Sequence, residues 1–214
     1  MNTNTKRSNV IRGKKRAAYD QDQIYAILDQ ELICHLAIIE DGNPKVLPQT
    51  FVRIGDALYL HGHRYNGLLK AAIGASICLS VFRCNGYVLA RSAFHHSLNY
   101  QSVIVFGRGE VVADEEKSNV LAALINKMVP QQWNYLRPMT TSELNATLVI
   151  KITIDEASAK IRSGPPNDSD DDIALPLWAG SVDILGAKMR VSPSSNIAAD
   201  VTMPDHIRKW YDIL

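Results

Sequence analysis

The hydrophobic pattern in the first third of the chain predicts a short helix followed by antiparallel strands. In "YDQDQIYAILDQE", Ile24, Ile27 and Leu28 share one face of a helix. The next three apolar runs, "LICHLAII", "KVLPQTFVRI" and "ALYLHGH", have the length of strands and are separated by the turn signals "DGNP" and "GD". Three strands joined by tight turns predict an antiparallel meander.

A proline interrupts the second of these strands. Pro48 has no amide hydrogen to donate, so it belongs at a sheet edge or where the ladder of hydrogen bonds opens. Polar Gln49 and Thr50 follow it directly. We therefore expect a ligand to be able to approach the backbone at this point.

The rest of the chain continues as strands with two helices between them. "NGLLKAAIG" predicts a short helix and "ICLSVFRC" a strand, and the Asn85–Gly86 pair after that strand predicts a two-residue hairpin. Beyond a loop with two histidines, "QSVIVFGRGEVV" is a strand in which "GRG" predicts a bulge or a barrel bend. "DEEKSNVLAALINKMV" is a helix stopped by Pro130, and "ATLVIKITI" and "AKIR" are strands. Strands without βαβ alternation predict an antiparallel sheet closed into a barrel.

Composition indicates the domain organisation and argues against several classes of binding partner. The 214 residues, 46% hydrophobic and 21% charged, suit one domain, which we place at residues 19–214 with a C-terminal extension, after a flexible basic tail at residues 1–18. The net charge of +1 gives no field that would recruit nucleic acid, and no apolar run reaches the roughly 18 residues of a membrane span. The 3 cysteines lack a C-x-x-C spacing and are expected to be reduced thiols. We therefore expect a cytoplasmic protein without nucleic-acid or membrane partners.

The sequence offers little support for a metal site or for nucleophilic catalysis. His95 and His96 are neighbours that would point to opposite faces of a strand, and H-E-x-x-H does not occur, so no metal site is predicted. G-x-S-x-G is absent, and Cys34 lies inside an apolar strand that disfavours a thiolate. "GRG" lacks the third glycine of a dinucleotide fingerprint.

Polar side chains recur instead at the ends of the predicted strands, an arrangement that suits an anionic ligand with hydrogen-bonding edges. They are Lys45, Gln49, Thr50, His61, His63, Asn66, Arg91, Ser97, Asn99, Tyr100 and Ser102.

An ordered set of motifs resembles a known family. "ICHLAIIEDGNPKVLPQTF", "LYLHGH", "LARSAFHHSLNYQSVIVFGRGEVV", "AKIRSGPPNDSDDD" and "LPLWAG", within roughly residues 12 to 186, resemble the pyridoxamine 5'-phosphate oxidase-related, FMN-binding flavoproteins, in the branch with nitroimidazole-reductase-like proteins. The resemblance implies a mainly β (α+β) fold, an antiparallel six-stranded split β-barrel with flanking helices. It also implies a homodimer with FMN at the subunit interface.

The resemblance places cofactor contacts on four parts of the chain. These are a strand that runs along the flavin, the end of the next strand near the phosphate, a later long strand, and a flavin-adjacent W-x-G. With the polar strand ends, the predicted cofactor site comprises Lys45, Val46, Leu47, Pro48, Gln49, Thr50, Leu60, His61, His63, Asn66, Asn99, Tyr100, Ser102 and Trp178. His95 and His96 are expected to shape the rim of the pocket or a dimer contact.

Two departures from the oxidases matter. Their phosphate-binding Arg-Lys pair is replaced by Asn66, Gly67 and Leu68, which leaves the phosphate charge to His61, His63, Arg64 or the basic tail. Their Arg-x-His segment after W-x-G is replaced by "SVDILGAK", so the resemblance does not extend to vitamin B6 oxidase activity.

The leading hypothesis is an FMN-dependent oxidoreductase acting on a small-molecule redox substrate, in which the cofactor carries the chemistry and no acid, base or nucleophile is assigned. A non-catalytic flavin-binding or flavin-sensing module is the first alternative. A haem-binding relative with a histidine as axial ligand is the second.

Overall fold

The computed structural model describes residues 1–3, 5–186 and 203–212, so residues 187–202 of the predicted C-terminal extension lie outside the described residues. The strands are β1 (Asn2–Thr3), β2 (Ala17–Ala18), β3 (Ile33–Glu40), β4 (Asn43–Ile54), β5 (Ala57–His63), β6 (Ser76–Leu89), β7 (Ser97–Val111), β8 (Thr147–Thr153), β9 (Glu156–Arg162) and β10 (Gly180–Asp183). The helices are α1 (Gln21–Gln30), α2 (Gly67–Ala72), α3 (Asp114–Met128), α4 (Thr141–Ala146), α5 (Asp170–Ile173) and α6 (Asp205–Asp212). None of these helices is long and apolar enough to cross a membrane.

Six strands form a closed ring in the order β7–β8–β5–β4–β3–β6, with β6 returning to β7. Every neighbouring pair in the ring is antiparallel. On the outside, β9 extends the sheet from β7 and β10 pairs with β6. The predicted antiparallel six-stranded barrel with flanking helices is confirmed.

Alternation along the strands fills the ring. Leu36, Leu60, Leu79 and Ile152 come from four different strands, and each is fully buried in one shared core. The apolar face predicted for α1 covers the same core. Each such side chain contributes on the order of 1.5–3 kcal/mol when it leaves water, so the ring is held mainly by apolar burial.

One predicted hairpin is right and one is wrong. Asp41 and Gly42 both have positive φ (51° and 75°), as the tight turn between β3 and β4 requires. Asn85–Gly86 does not turn the chain: β6 continues through it with a bulge and ends at Leu89. Gly86 is needed for close approach, because a Cβ there would lie 2.8 Å from the carbonyl oxygen of Val182 on β10.

The "GRG" segment is a bend, as predicted. β7 pairs with β9 up to Phe106 and with β8 from Gly109 onward. Added Cβ atoms would lie 2.3 Å from the Thr153 carbonyl oxygen at Gly107 and 2.2 Å from the Ala72 carbonyl oxygen at Gly109. Only glycine allows the strand to change neighbours so closely against other backbone.

The basic N-terminal segment lies against the barrel. β1 and β2 both pair with β9, and between them Arg7 forms an ion pair with Glu156 of β9. The segment predicted as a flexible tail, residues 1–18, is therefore attached to β9 near both of its ends and at Arg7.

Candidate functional site

The ring of strands opens between β4 and β5. β3 pairs with β4 from Asn43 to Thr50, but β5 pairs with β4 only from Phe51 to Ile54. β5 pairs with β8 along its whole length, from Ala57 to His63, so His61 and His63 keep β8 as a neighbour after the pairing with β4 has ended. On its β5 side, residues 45–50 of β4 thus have no strand partner within the described part of the chain.

Pro48 lies in this opened half of β4, as its missing amide hydrogen predicts, with His35 of β3 opposite it. Val46 and Leu47 are 57% and 48% exposed although both are apolar. Lys45 forms an ion pair with Glu40 across the β3–β4 turn. The opened half therefore presents backbone donors and acceptors together with uncovered apolar side chains.

His61 stands at the mouth of this opening. It lines a cavity of about 660 Å³ together with His63, Leu136, Arg137 and Met139. The Nδ1 atom of His61 is buried and has no hydrogen-bond partner among the described residues. Burial lowers the pKa of His61, because it penalises the charged imidazolium. His61 is therefore a neutral imidazole at pH 7, with unused hydrogen-bonding capacity.

Other predicted residues of this region have structural roles. The Leu60 side chain is fully buried in the core, which leaves only its backbone for a ligand. Asn66 caps α2, because its Oδ1 accepts a hydrogen bond from the Leu69 amide at 3.1 Å. The Nδ1 atom of His63 accepts from the Tyr65 amide at 3.3 Å. The neutral His63 ring consequently carries its proton on Nε2.

A second cavity of about 350 Å³ adjoins the first, and both are lined by Thr147. Arg64 and Lys70 line it and flank the Tyr65 ring, at 5.3 Å and 5.2 Å from its centroid. Lys117 also lines it, but its ammonium donates to the Thr147 carbonyl at 2.8 Å and pairs with Asp114 at 2.7 Å. Arg64 and Lys70 are thus the free cations of this cavity within the described residues.

The sequence analysis missed Lys70 and the cavity residues Leu136, Arg137 and Met139. The spacing from Arg64 to Lys70, across the start of a predicted helix, was a usable signal for the lysine. No local signal marks the other three, because only the folding of the 132–146 segment back onto β5 brings them to His61.

The predicted residues of β7 lie elsewhere in the same sheet. Pro48 faces His35, His35 faces Ser80 and Ser80 faces Ile104, so β7 is three inter-strand spacings, roughly 14 Å, from the opened half of β4. One chain therefore does not bring the β4 and β7 groups together.

Three of the β7 residues have partners beside that strand. Asn99 is buried, and its amide oxygen accepts from the Arg162 guanidinium. The ring of Tyr100 stacks on Phe82 with centroids 5.8 Å apart. The Ser102 hydroxyl donates to the Lys160 carbonyl at 3.3 Å. Their side chains are thus engaged mainly with β6 and β9.

Trp178 precedes β10 and is 69% exposed. Its ring covers Gly180, where an added Cβ would lie 2.8 Å from the indole. The "WAG" spacing therefore holds the indole close to the Gly180 backbone while most of its surface stays exposed. A tryptophan of the barrel core would be buried, and this one is not.

The histidine loop contacts the acidic loop that follows β9. The Nδ1 atom of His95 lies 2.9 Å from the Ser92 hydroxyl and 3.6 Å from Asp172. Asp168, whose side chain is only 3% exposed, accepts from the Arg91 guanidinium at 2.8 Å. Ligand atoms of His95, Asp168 and Asp172 lie within 4.8 Å of one another, but Arg91 already compensates the buried carboxylate. The loop is thus held by a charge network.

Comparison with solved structures gives two matches along nearly the whole chain. The flavocytochrome Anf3 from Azotobacter vinelandii is 37% identical, with a TM-score of 0.92 over 97% of this chain and 98% of that one. The FAD and haem binding protein from Mycobacterium smegmatis is 34% identical, with a TM-score of 0.87 over 91% and 97% of the two chains. A 5-nitroimidazole antibiotic resistance protein homologue from Bacteroides thetaiotaomicron shares the fold at 23% identity and a TM-score of 0.57, over 68% and 86%.

A search of curated proteins finds no match. The sequence model of the family described as pyridoxamine 5'-phosphate oxidase matches residues 20–161. That segment is most of the chain and contains the six-stranded ring with both edges of its opening. By sequence and by structure, this chain belongs to the pyridoxamine 5'-phosphate oxidase family of flavoprotein folds.

Proposed function

We propose that the protein is a flavin-dependent oxidoreductase whose flavin ring lies along the opened half of β4. The observation that carries this proposal is the opening itself, where a strand inside the ring leaves one backbone edge without a partner from Lys45 to Thr50. Two proteins that match nearly the full chain are named as a flavocytochrome and as an FAD and haem binding protein. Their names support a flavin at this position.

The residues near the opening fit the two ends of a flavin. Unpaired backbone groups of β4 suit the hydrogen-bonding edge of the ring system, since a ligand that covers them must also supply their hydrogen-bond partners. Arg64 and Lys70 supply charge for a phosphate in the adjoining cavity. In the oxidases this charge comes from an Arg-Lys pair in the same loop, so Arg64 and Lys70 are a replacement with a different spacing.

The chain's contribution is binding and orientation. A bound flavin supplies reversible redox chemistry, while the protein fixes its position and its electrostatic surroundings. The opened β4 edge orients the ring, and the apolar Val46 side chain keeps water from one side of it. Neutral His61 can donate or accept one hydrogen bond at the mouth. We assign no acid, base or nucleophile to the reaction, and its substrate is a small redox-active molecule.

FMN is the cofactor predicted from sequence, and the M. smegmatis protein is named for FAD, which contains the FMN group. We propose that the ring and the first phosphate take the positions described above in either case. Heat release of the bound flavin followed by chromatography determines whether the adenylyl half is present.

We also propose a homodimer, with the flavin covered by the second copy. Ile39 of β3, Val46 of β4, Phe82 of β6 and Ile104 of β7 lie on the same face of one continuous sheet and are 42–63% exposed. A sheet face of this kind is costly to leave in water. A partner's β7 residues could then approach the opened half of β4, which no single chain brings together. A cytoplasmic location and the absence of nucleic-acid and membrane partners stay predictions.

Haem is a second candidate ligand, favoured by the 660 Å³ cavity. His61 and Met139 line it, and both residue types serve as axial ligands of haem iron. The neutral form of His61 is the form that binds a metal. Its unpartnered Nδ1 costs about 1–3 kcal/mol in an unfilled site. The names of the two full-length neighbours support the same ligand.

The visible spectrum of the purified protein tests both ligands at once. Flavin absorption bands support the first proposal, and an additional Soret band supports the second. A colourless protein that is not stabilised by saturating FMN, FAD or haemin contradicts both. Reduction by NADH or NADPH with turnover on nitro compounds or quinones then separates an oxidoreductase from a non-catalytic flavin module.

Two variants assign the sites. Arg64→Gln with Lys70→Gln should lower flavin affinity, with Lys151→Gln on β8 as a control for lost charge. His61→Ala should remove a Soret band while flavin absorption remains. If both variants keep the parent's spectrum, the ligands lie elsewhere.

A further inference from the structure

A third cavity lies beneath the N-terminal segment. In the order of the strands, β6 and β3 separate its walls, β7 and β9, from the opened half of β4. It has a volume of about 280 Å³, and its walls come from residues 7–12, from β7 and from β9. Hydroxyl groups line it, from Ser8, Ser102 and Ser158. Ser8 and Ser158 are buried, at 3% and 6% exposure. Ile104 and Ala159 also line it, so the part of the wall that comes from β7 and β9 combines small polar and apolar side chains.

The charged groups around this cavity are predominantly cationic. Arg7, Arg12 and Lys160 line it. Arg7 is neutralised by Glu156, but Arg12 and Lys160 form no ion pair with any residue in the described ranges. Two positive charges from separate segments of the chain thus face one cavity without a counter-charge.

More positive charge lies beside the cavity. Gly13 is the left-handed residue (φ 74°) that turns the segment so that it stays close to Lys160, whose Nζ lies 3.7 Å from the position of a Cβ at Gly13. Burial lowers the pKa of Arg162 on the same strand, and the nearby Arg16 guanidinium lowers it further. Arg162 donates only to neutral acceptors, the Asn99 amide and two carbonyls. Cations are therefore concentrated at this end of β9.

Size and donor chemistry limit what fits. The cavity is smaller than the roughly 300–1,000 Å³ of pockets that enclose a whole small-molecule ligand, so it suits one end group. Arginine, lysine and hydroxyl donors together match the oxygens of phosphate, which accept several charge-assisted hydrogen bonds. A carboxylate would leave most of these donors unused. A phosphate or diphosphate group uses them.

We propose that this cavity binds the phosphate or diphosphate of a nucleotide taking part in the redox reaction, so the inference rests on the proposed function. Arg12 and Lys160 hold the charge, and the Ser158 hydroxyl donates to a remaining oxygen. The Ser102 hydroxyl lines the cavity but already donates to the Lys160 carbonyl. Two nucleotides carry this chemistry, a nicotinamide dinucleotide donor and the flavin dinucleotide itself, and the second would move the flavin's phosphates away from Arg64 and Lys70.

Calorimetric titration of the purified protein with inorganic diphosphate at fixed ionic strength tests the site. The double variant Arg12→Gln/Lys160→Gln removes the two uncompensated charges. Lys6→Gln, in the same segment but outside the cavity lining, is the matched control. The parent and the control should bind diphosphate, and the double variant at least about tenfold more weakly. Unfolding temperature and circular dichroism show that the variants keep their fold.

The source of the phosphate follows from two further readouts. If a nicotinamide nucleotide is the occupant, the double variant raises KM for NADH or NADPH at unchanged kcat, and diphosphate competes with the donor. If the flavin's own diphosphate fills the cavity, the parent does not titrate and the double variant is purified with a lower flavin content. The proposal is overturned if the double variant matches the parent in diphosphate binding, flavin content and KM.

Failure of the site and failure of the proposed function give different results. If the protein is colourless and shows no turnover, but diphosphate binding is lost in the double variant, the anion site is supported and the redox role is not. If the protein is yellow and active, but its double variant behaves like the parent, the redox role is supported and the anion site is not.

Discussion

The two halves of β4 contain similar residues in different surroundings. Phe51 and Val52, where β5 is paired, are 0% and 5% exposed. Val46 and Leu47, where β5 has left, are 57% and 48% exposed. Residue type does not explain this contrast, since both halves carry apolar side chains; the departure of the neighbouring strand does. The opened half therefore presents apolar side chains that its own barrel leaves uncovered, which is where the proposed flavin and second copy would lie.

The largest expected effect separates two leucines on either side of this boundary. Leu60→Ala removes a fully buried side chain beside Phe51 and should lower the free energy of unfolding by about 2–5 kcal/mol. Leu47→Ala, in the opened half, should cost less than about 1 kcal/mol of monomer stability, because half of the side chain is already in water. Urea denaturation at one protein concentration measures both. Equal losses would show that the two halves are covered alike within one chain.

The contrast between the halves was partly predictable. Pro48 marked the opening because a residue without an amide hydrogen is incompatible with a strand paired on both sides. Alternation of apolar residues likewise predicted the antiparallel ring, because one face of each strand has to be buried. The prediction of a turn at Asn85–Gly86 was wrong for a physical reason. The close approach of β10 requires a glycine at this place, and it overrides the local preference for a hairpin.

The site was less predictable than the fold. The assignment of the opened strand and His61 to the cofactor site stays a prediction, and the side chains of Asn66 and Asn99 are engaged as a helix cap and as an arginine partner. A polar residue at a strand end has the same sequence signature whether it binds a ligand or completes a local hydrogen bond. Arg137 and Met139 reach the cavity only through tertiary folding, and no pattern of nearby residues encodes that contact.

A charge in the opened half tests whether a second chain covers it. Val46→Asp places a carboxylate on the proposed interface, where the dimer would bury it unpaired. We expect the dimer dissociation constant to rise on the order of hundredfold, about 2.7 kcal/mol, giving a monomer at micromolar concentration by light scattering. Val111→Asp, at a valine that is 53% exposed near the end of β7, is the control for surface charge. A monomeric parent would remove the dimer from the proposal altogether.

An aromatic residue from outside the ring tests what else covers the opened half. Trp178 is 69% exposed and held over Gly180. If it contacts the flavin, stacking or edge contact is worth roughly 0.5–1.5 kcal/mol beyond buried area. Trp178→Ala should then weaken flavin binding by about tenfold, or 1.4 kcal/mol, with no loss of fold in the urea assay. Unchanged flavin affinity would assign Trp178 to the protein surface, and an unfolded variant would assign it to the barrel.

The smallest effect concerns His61, at the mouth between the two halves. Burial places its pKa in the folded chain below the ordinary value of 6.5. Between these two pKa values the unfolded chain binds more protons than the folded one, so stability rises with pH there. The contribution is complete above pH 6.5 and is lost as the pH falls. One proton limits the slope to about 1.4 kcal/mol per pH unit.

The His61→Asn variant should therefore lose less stability than the parent between pH 7.5 and pH 5.5 in ligand-free protein. Other titrating groups are common to both chains, so the difference between the two slopes isolates His61. A ligand that supplies a partner for its buried Nδ1 should enlarge the difference, because protonation would then compete with binding as well as with burial. Parallel pH profiles for parent and variant would show that the imidazole is solvated. The β5 side of the opening would then be as accessible to water as the exposed half of β4.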